Sequence, residues 1–142
     1  MIKIENLVLG CHVRVPGGGV GIVKQLSLET REILVFEGNV LGKLWKESDL
    51  TGIPVTVKDL ERWGLEKDEP IPGYIDYGSF DRSHKFHIVL REGLTNSQHH
   101  WGVHFDNDYF ESVGSGEFTY LHEFEALYVA ITQNSIWPCS IF

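Results

Sequence analysis

Residues 97–106 read Ser-Gln-His-His-Trp-Gly-Val-His-Phe-Asp (SQHHWGVHFD), and the way this run pairs with its neighbours decides the fold. Trp101, Val103 and Phe105 alternate with Gly102 and His104, the period of a half-buried strand. Phe86, Ile88 and Leu90 alternate in the same way with His87 and Val89. If the apolar sets face a core, His87, His100 and His104 point away from it. An antiparallel pairing that sets Leu90 opposite Trp101 matches Ile88 with Val103, Phe86 with Phe105 and His87 with His104. Asn107-Asp108 suits the positive φ angles of a two-residue hairpin. That turn leads into a third strand, Tyr109–Val113, and puts Glu111 opposite His104. Gly114-Ser115-Gly116 reads as the break that ends it. The expectation is a meander over 86–113 with His87, His104 and Glu111 in a row on its polar face.

The flanking sequence supplies what covers the other face. Leu121, Phe124, Leu127, Tyr128 and Ile131 recur at helical spacing, predicting an amphipathic helix over Thr119–Thr132 with Thr119 as its cap. Upstream, four short apolar runs (His12–Val15, Gly21–Leu26, Ile33–Glu37, Leu41–Trp45) are separated by turns such as Pro16-Gly17-Gly18-Gly19 and Gly38-Asn39. A brief fifth run is Ile53–Val55. Strands this short and evenly spaced predict an SH3-like curled sheet over residues 1–55. Thr56 and Asp59 frame a short helix near 56–64, with Gly64 placed to end it. The charged, proline-broken stretch 66–73 reads as a connector. The fold class expected is therefore α+β, mainly β: an SH3-like unit with its short helix over 1–65, then an antiparallel meander packed by a C-terminal helix over 74–142. The two parts either stay separate or merge into one compact domain.

The chain has 142 residues, 42% hydrophobic and 23% charged, enough for a core and too apolar for wholesale disorder. Its formal charge is −8, which argues against duplex nucleic acid as a partner, because phosphate binding depends on Lys and Arg. No apolar run approaches the length of a membrane helix and no leader-like segment opens the chain, so a cytoplasmic protein without a membrane partner is expected. Cys11 and Cys139 lack metal-ligand or redox spacing and read as reduced, partly buried thiols. The apolar tail Trp137–Phe142 reads as packed on the domain or engaged in a subunit contact, which makes a homo-oligomer one expected arrangement.

Chemistry concentrates around the histidine-rich meander. His87, His104 and Glu111 combine ligand types that zinc or ferrous iron accepts, yet they show no tight H-x-H or H-E-x-x-H spacing. Against an acidic background, Arg82, His84, Lys85, His87, His99, His100 and His104 gather cationic or donor groups that suit a small anion. Trp101, or Trp45 from the first sheet, is a candidate stacking plane for a base. Ser115 lies outside any G-x-S-x-G elbow. No dinucleotide fingerprint occurs, and neither a cofactor nor a catalytic residue is expected.

Three segments carry a resemblance. Ile4, Glu5, Leu7, Leu9-Gly10 and Val13, then Ile53 to Glu69, then Phe118 to Thr132 with His122, Leu127-Tyr128 and Ala130, are similar to a widespread group of small uncharacterised proteins of Bacteroides-type bacteria, their phages and mobile elements. The histidine-rich sheet and the aromatic tail depart from that pattern. The resemblance implies a phage or mobile-element setting, in which small acidic proteins act on host proteins or signals. The leading expectation is a non-enzymatic binding protein, a counter-defence factor that sequesters a small anionic or nucleotide-like signal. The alternatives are an adaptor or inhibitor that binds a host protein through the barrel and apolar tail, and a metal-dependent enzyme using His87, His104 and Glu111.

Overall fold

Short Val- and Ile-rich runs between glycine turns pair with their sequence neighbours, because two- to six-residue loops leave antiparallel hairpins as the easy solution. A computed structural model of the chain describes residues 2–38, 41–72, 74–81, 86–93 and 100–133. These form two antiparallel sheets and two α-helices, an α+β architecture dominated by β-structure. The described residues group into two compact units, one drawn from Met1–Pro54 and Tyr120–Ala126, the other from Val55–Thr119 and Leu127–Phe142.

In the first unit, β1 (His12–Arg14), β2 (Val20–Ser27), β3 (Glu32–Phe36) and β4 (Lys43–Lys46) form a meander in that order. The chain beyond β4 returns to the free side of β1, where Arg14 and Thr51 exchange backbone hydrogen bonds of 2.9 and 3.0 Å. Alternate residues Val23, Ile33 and Val35 turn inward and join Ile4, Cys11, Val13 and Leu50 in the core. Arg31 ties the start of the chain down, with its guanidinium on the carboxylates of Glu5 and Glu47 while Glu47 also accepts the Ile4 amide. The Cys11 thiol is 0% exposed, and burial together with the nearby Glu125 carboxylate pushes its pKa up to about 12. A Cys139→Ser variant is therefore expected to show no measurable reaction with Ellman's reagent at pH 8 until denaturant is added. Rapid labelling of the folded variant would contradict this burial. The brief strand expected at 53–55 reduces to one isolated bridge, Pro54 with Tyr120.

The second unit begins with helix α1 (Val57–Arg62). The Thr56 amide donates to Asp59 at 2.8 Å and the Asp59 amide returns to the Thr56 hydroxyl, a reciprocal capping box. Gly64, at φ +82°, ends the helix, with Leu65 N–H donating to the Leu60 carbonyl and Gly64 N–H to that of Glu61. The sheet that follows has five strands in sequence order: β5 (Glu66–Ile71), β6 (Tyr74–Asp81), β7 (Phe86–Gly93), β8 (His100–Asn107) and β9 (Ser112–Phe118). The charged segment 66–71 is thus a strand rather than a connector. It is exposed throughout, and charged residues with a proline are what an unprotected sheet edge carries, so no apolar alternation marks it.

Helix α2 (Leu121–Thr132) starts one residue later than its pattern suggested, with Tyr120 rather than Thr119 at the cap; the Tyr120 amide donates to Glu123 at 2.9 Å. Leu121 and Phe124 are buried in the first unit, Tyr128 in the second. The glycines expected to break the third strand lie inside β9 instead. A Cβ on Gly116 would sit 2.7 Å from Leu127, and one on Gly114 3.0 Å from Ile131. Glycine at these core-facing positions lets the helix side chains reach the sheet backbone, which is why the strand runs through them. No helix among the described residues is long and apolar enough to cross a membrane.

Candidate functional site

Strand period places His87, His100 and His104 as expected, facing away from the core, but the mutual register of their strands differs. In β7 and β8 the Cα partners are Leu90 with Val103, Ile88 with Phe105 and His87 with Asp106. The pairing is shifted by two residues from the expected one. A two-residue shift keeps every side chain on its face, so apolar matching alone cannot distinguish the two registers. His104 therefore lies opposite Val89 on one side and Ser115 on the other, with His87 diagonal to it.

Glu111 does not join the row. The hairpin is longer than two residues: Asn107 accepts the Tyr109 and Glu111 amides on its side-chain oxygen, each at 2.9 Å, and donates its own amide to the Glu111 carbonyl. This Asx-stabilised loop delays β9 until Ser112 and leaves Glu111 exposed in the turn. Among the described residues no group of three His, Cys, Asp or Glu side chains is arranged to hold a metal ion, so the His87, His104, Glu111 trio is not assembled.

Trp101 is corrected from stacking plane to core. It is 0% exposed, meets Tyr77 edge-on at 6.0 Å, and donates its indole N–H to the Val55 carbonyl at 2.9 Å. Trp45, half-buried on β4, has the Lys43 ammonium 4.1 Å above its ring. Arg82, His84, Lys85 and His99 lie outside the described residues.

The outward face of the second sheet is instead a set of polar side-chain pairs around a floor of small residues. Arg91 holds Asp76 in a two-pronged pair at 2.6 and 2.9 Å. His104 Nε2 lies 2.8 Å from Asp106, and His100 lies 3.1 Å from Glu117 and 3.3 Å from the Thr119 hydroxyl. Between these rims, Gly102, Val89, Ser115 and His104 line a shallow hollow of about 580 Å³, open to solvent. Glu66 and Asp68 of β5 continue the same face through the register of β6. Carboxylates (Glu66, Asp68, Asp76, Asp106, Glu117) thus outnumber the one arginine, Arg91, on the described part of the face. The contributions of Arg91, Asp106 and Glu117 were hidden in sequence, because β7 continues three residues past its last apolar position and β9 runs through glycines.

A second polar cluster had no sequence signal at all. In the first unit Glu125 is 1% exposed; its carboxylate accepts the His12 amide at 2.9 Å and lies 2.7 Å from the His12 imidazole Nδ1. Burial raises the Glu125 pKa, and the His12 contacts pull it the other way. His122, one turn before on α2, is buried, which lowers its pKa, and its Nδ1 makes no hydrogen bond. The sequence separation of 113 between His12 and Glu125 explains why spacing gave no hint. The geometry is a clasp between strand and helix, inaccessible to a ligand. Comparison with protein-family models, with curated proteins and with solved structures finds no match for this chain.

Proposed function

We propose that the protein is a non-enzymatic binding protein that engages its partner on the outward face of the five-stranded sheet. The observation that carries this reading is the composition of that face. Its arginine and two of its histidines are already occupied by carboxylates. Glu66 and Asp68 extend the acidic surface beyond them. Such a face is poised for a donor-rich, positively charged partner, and a small anion would have to compete with a carboxylate at Arg91, His100 and His104. The open, small-floored hollow favours an extended macromolecular segment over an enclosed small molecule.

The test is a thermal-shift series with a cationic peptide, nucleotides and divalent metals, since any ligand that prefers the folded state raises the melting temperature. The peptide is expected to stabilise the wild type, and nucleotides are not. A triple variant Asp76→Asn, Asp106→Asn, Glu117→Gln should lose the peptide response. A nucleotide response of the wild type that Arg82→Ala, Lys85→Ala and His104→Ala together abolish would replace this reading with the small anionic signal. A zinc response lost with His87→Ala and His104→Ala would replace it with a metal site.

A further inference from the structure

Among the described residues, the tip of the β8–β9 hairpin carries the most exposed aromatic pair of the second unit. Tyr109 is 78% exposed and Phe110 72%, with Val113 beside them at 44%. Phe110 has φ +61°, a conformation that costs a bulky side chain and that Asn or Gly would occupy at ease. The loop holds it there: the Phe110 amide donates to the Asn107 carbonyl at 3.0 Å, while Asn107 binds the amides on either side. The consequence is a ring presented outward. One face of Phe110 lies on the His87 imidazole, with centroids 4.3 Å apart and planes 22° from parallel. The opposite face is open. Asp108 and Glu111 flank it in the turn, both exposed and without an ion pair among the described residues.

We infer that this tip docks an arginine-bearing segment of a partner protein, the guanidinium stacking on the free face of Phe110 and donating to Asp108 and Glu111. A planar cation is the one side chain that suits both halves of the site: it extends the His87–Phe110 stack, and its in-plane N–H groups can donate to the carboxylates that neighbour Phe110 in the turn. Lysine satisfies the charge but not the stack. A nucleobase satisfies the stack, but its phosphates meet the two carboxylates and a chain of formal charge −8. The inference rests on the protein-partner reading above and names the anchor within it.

Titration of the full chain with nona-arginine and nona-lysine peptides at physiological salt, read by NMR shifts of the Tyr109 and Phe110 rings, tests it. Nona-arginine is expected to bind about fivefold more tightly than nona-lysine. Phe110→Tyr should keep that preference. Phe110→Leu and Phe110→Asn should lose it, and the Asn variant, relaxed at this φ, should melt no lower than wild type. Asp108→Asn with Glu111→Gln should weaken both peptides. Equal affinity of the wild type for the two peptides, or a preference that survives Phe110→Leu, overturns the inference. If binding instead depends only on Asp76, Asp106 and Glu117, the sheet-face reading stands and the tip is not the anchor. If neither set of variants matters, both are overturned.

Discussion

Trp101→Ala is expected to cost about 3–5 kcal/mol, the range for removing a large aromatic side chain from a packed interior. The indole is wholly buried and sits on β8 among Leu90, Val103 and Phe118 of the same inner layer. Its ring edge meets Tyr77, and its N–H satisfies the Val55 carbonyl just before α1. Truncation therefore opens a cavity and deprives a carbonyl of its donor at once. Trp101→Phe separates the two effects: most of the apolar volume remains, and the loss should fall to about 1–3 kcal/mol from the lost hydrogen bond and the smaller void. Urea unfolding followed by circular dichroism measures both. A loss below about 1 kcal/mol for the alanine variant would place the indole outside the core and revive its assignment to a ligand surface.

Glu125→Ala is expected to destabilise by a similar amount, about 3–5 kcal/mol, because removing one member of a buried polar pair leaves its partner desolvated without compensation. The carboxylate engages both the His12 amide and its imidazole. Glu125→Gln keeps an acceptor for the amide and cannot ionise, so it should be milder, and it isolates the pH effect. Burial raises the Glu125 pKa above its ordinary 4.5, so the folded state holds this proton more tightly than the unfolded chain. The stabilising contribution is fully present below pH 4.5 and is lost as pH rises through the folded value. The stability of wild type relative to Glu125→Gln should consequently decline on going from pH 4 toward 8. A difference that is flat or grows with pH would show that the pair is held as a fixed carboxylate.

How far the sequence reached can be seen in the two sheets. Alternation in Phe86–Leu90 and Trp101–Phe105 assigned each side chain to its face correctly, because the strand period is a local property of the backbone. The capping pair Thr56 and Asp59, the stop at Gly64 and the apolar stripe of α2 were legible for the same reason: each is written within about three helical turns or fewer. Which strands pair, and that the helix covers their inner face, was also read correctly; what failed was the detail of the pairing. The β7–β8 register slid by two residues because both pairings bury the same apolar set. β5 went unseen because an edge strand carries charge where a central strand carries Val or Ile. The glycines of β9 read as a break until Leu127 and Ile131 lay over them.

The site divides along the same line. That histidines would populate the outward face of a sheet was determined by the sequence alone, through parity. Their neighbours were a matter for the tertiary structure: Asp106 instead of His104 across from His87, Glu117 beside His100, Phe110 stacked on His87. Cross-strand adjacency depends on register and loop length, which are set by the balance of all pairings at once. The His12–Glu125 clasp is the extreme case, since its members are separated by nearly the whole chain and neither departs from what its own strand or helix would tolerate at the surface. Local periodicity determined which way each side chain faces, and only the packed fold decided what it meets.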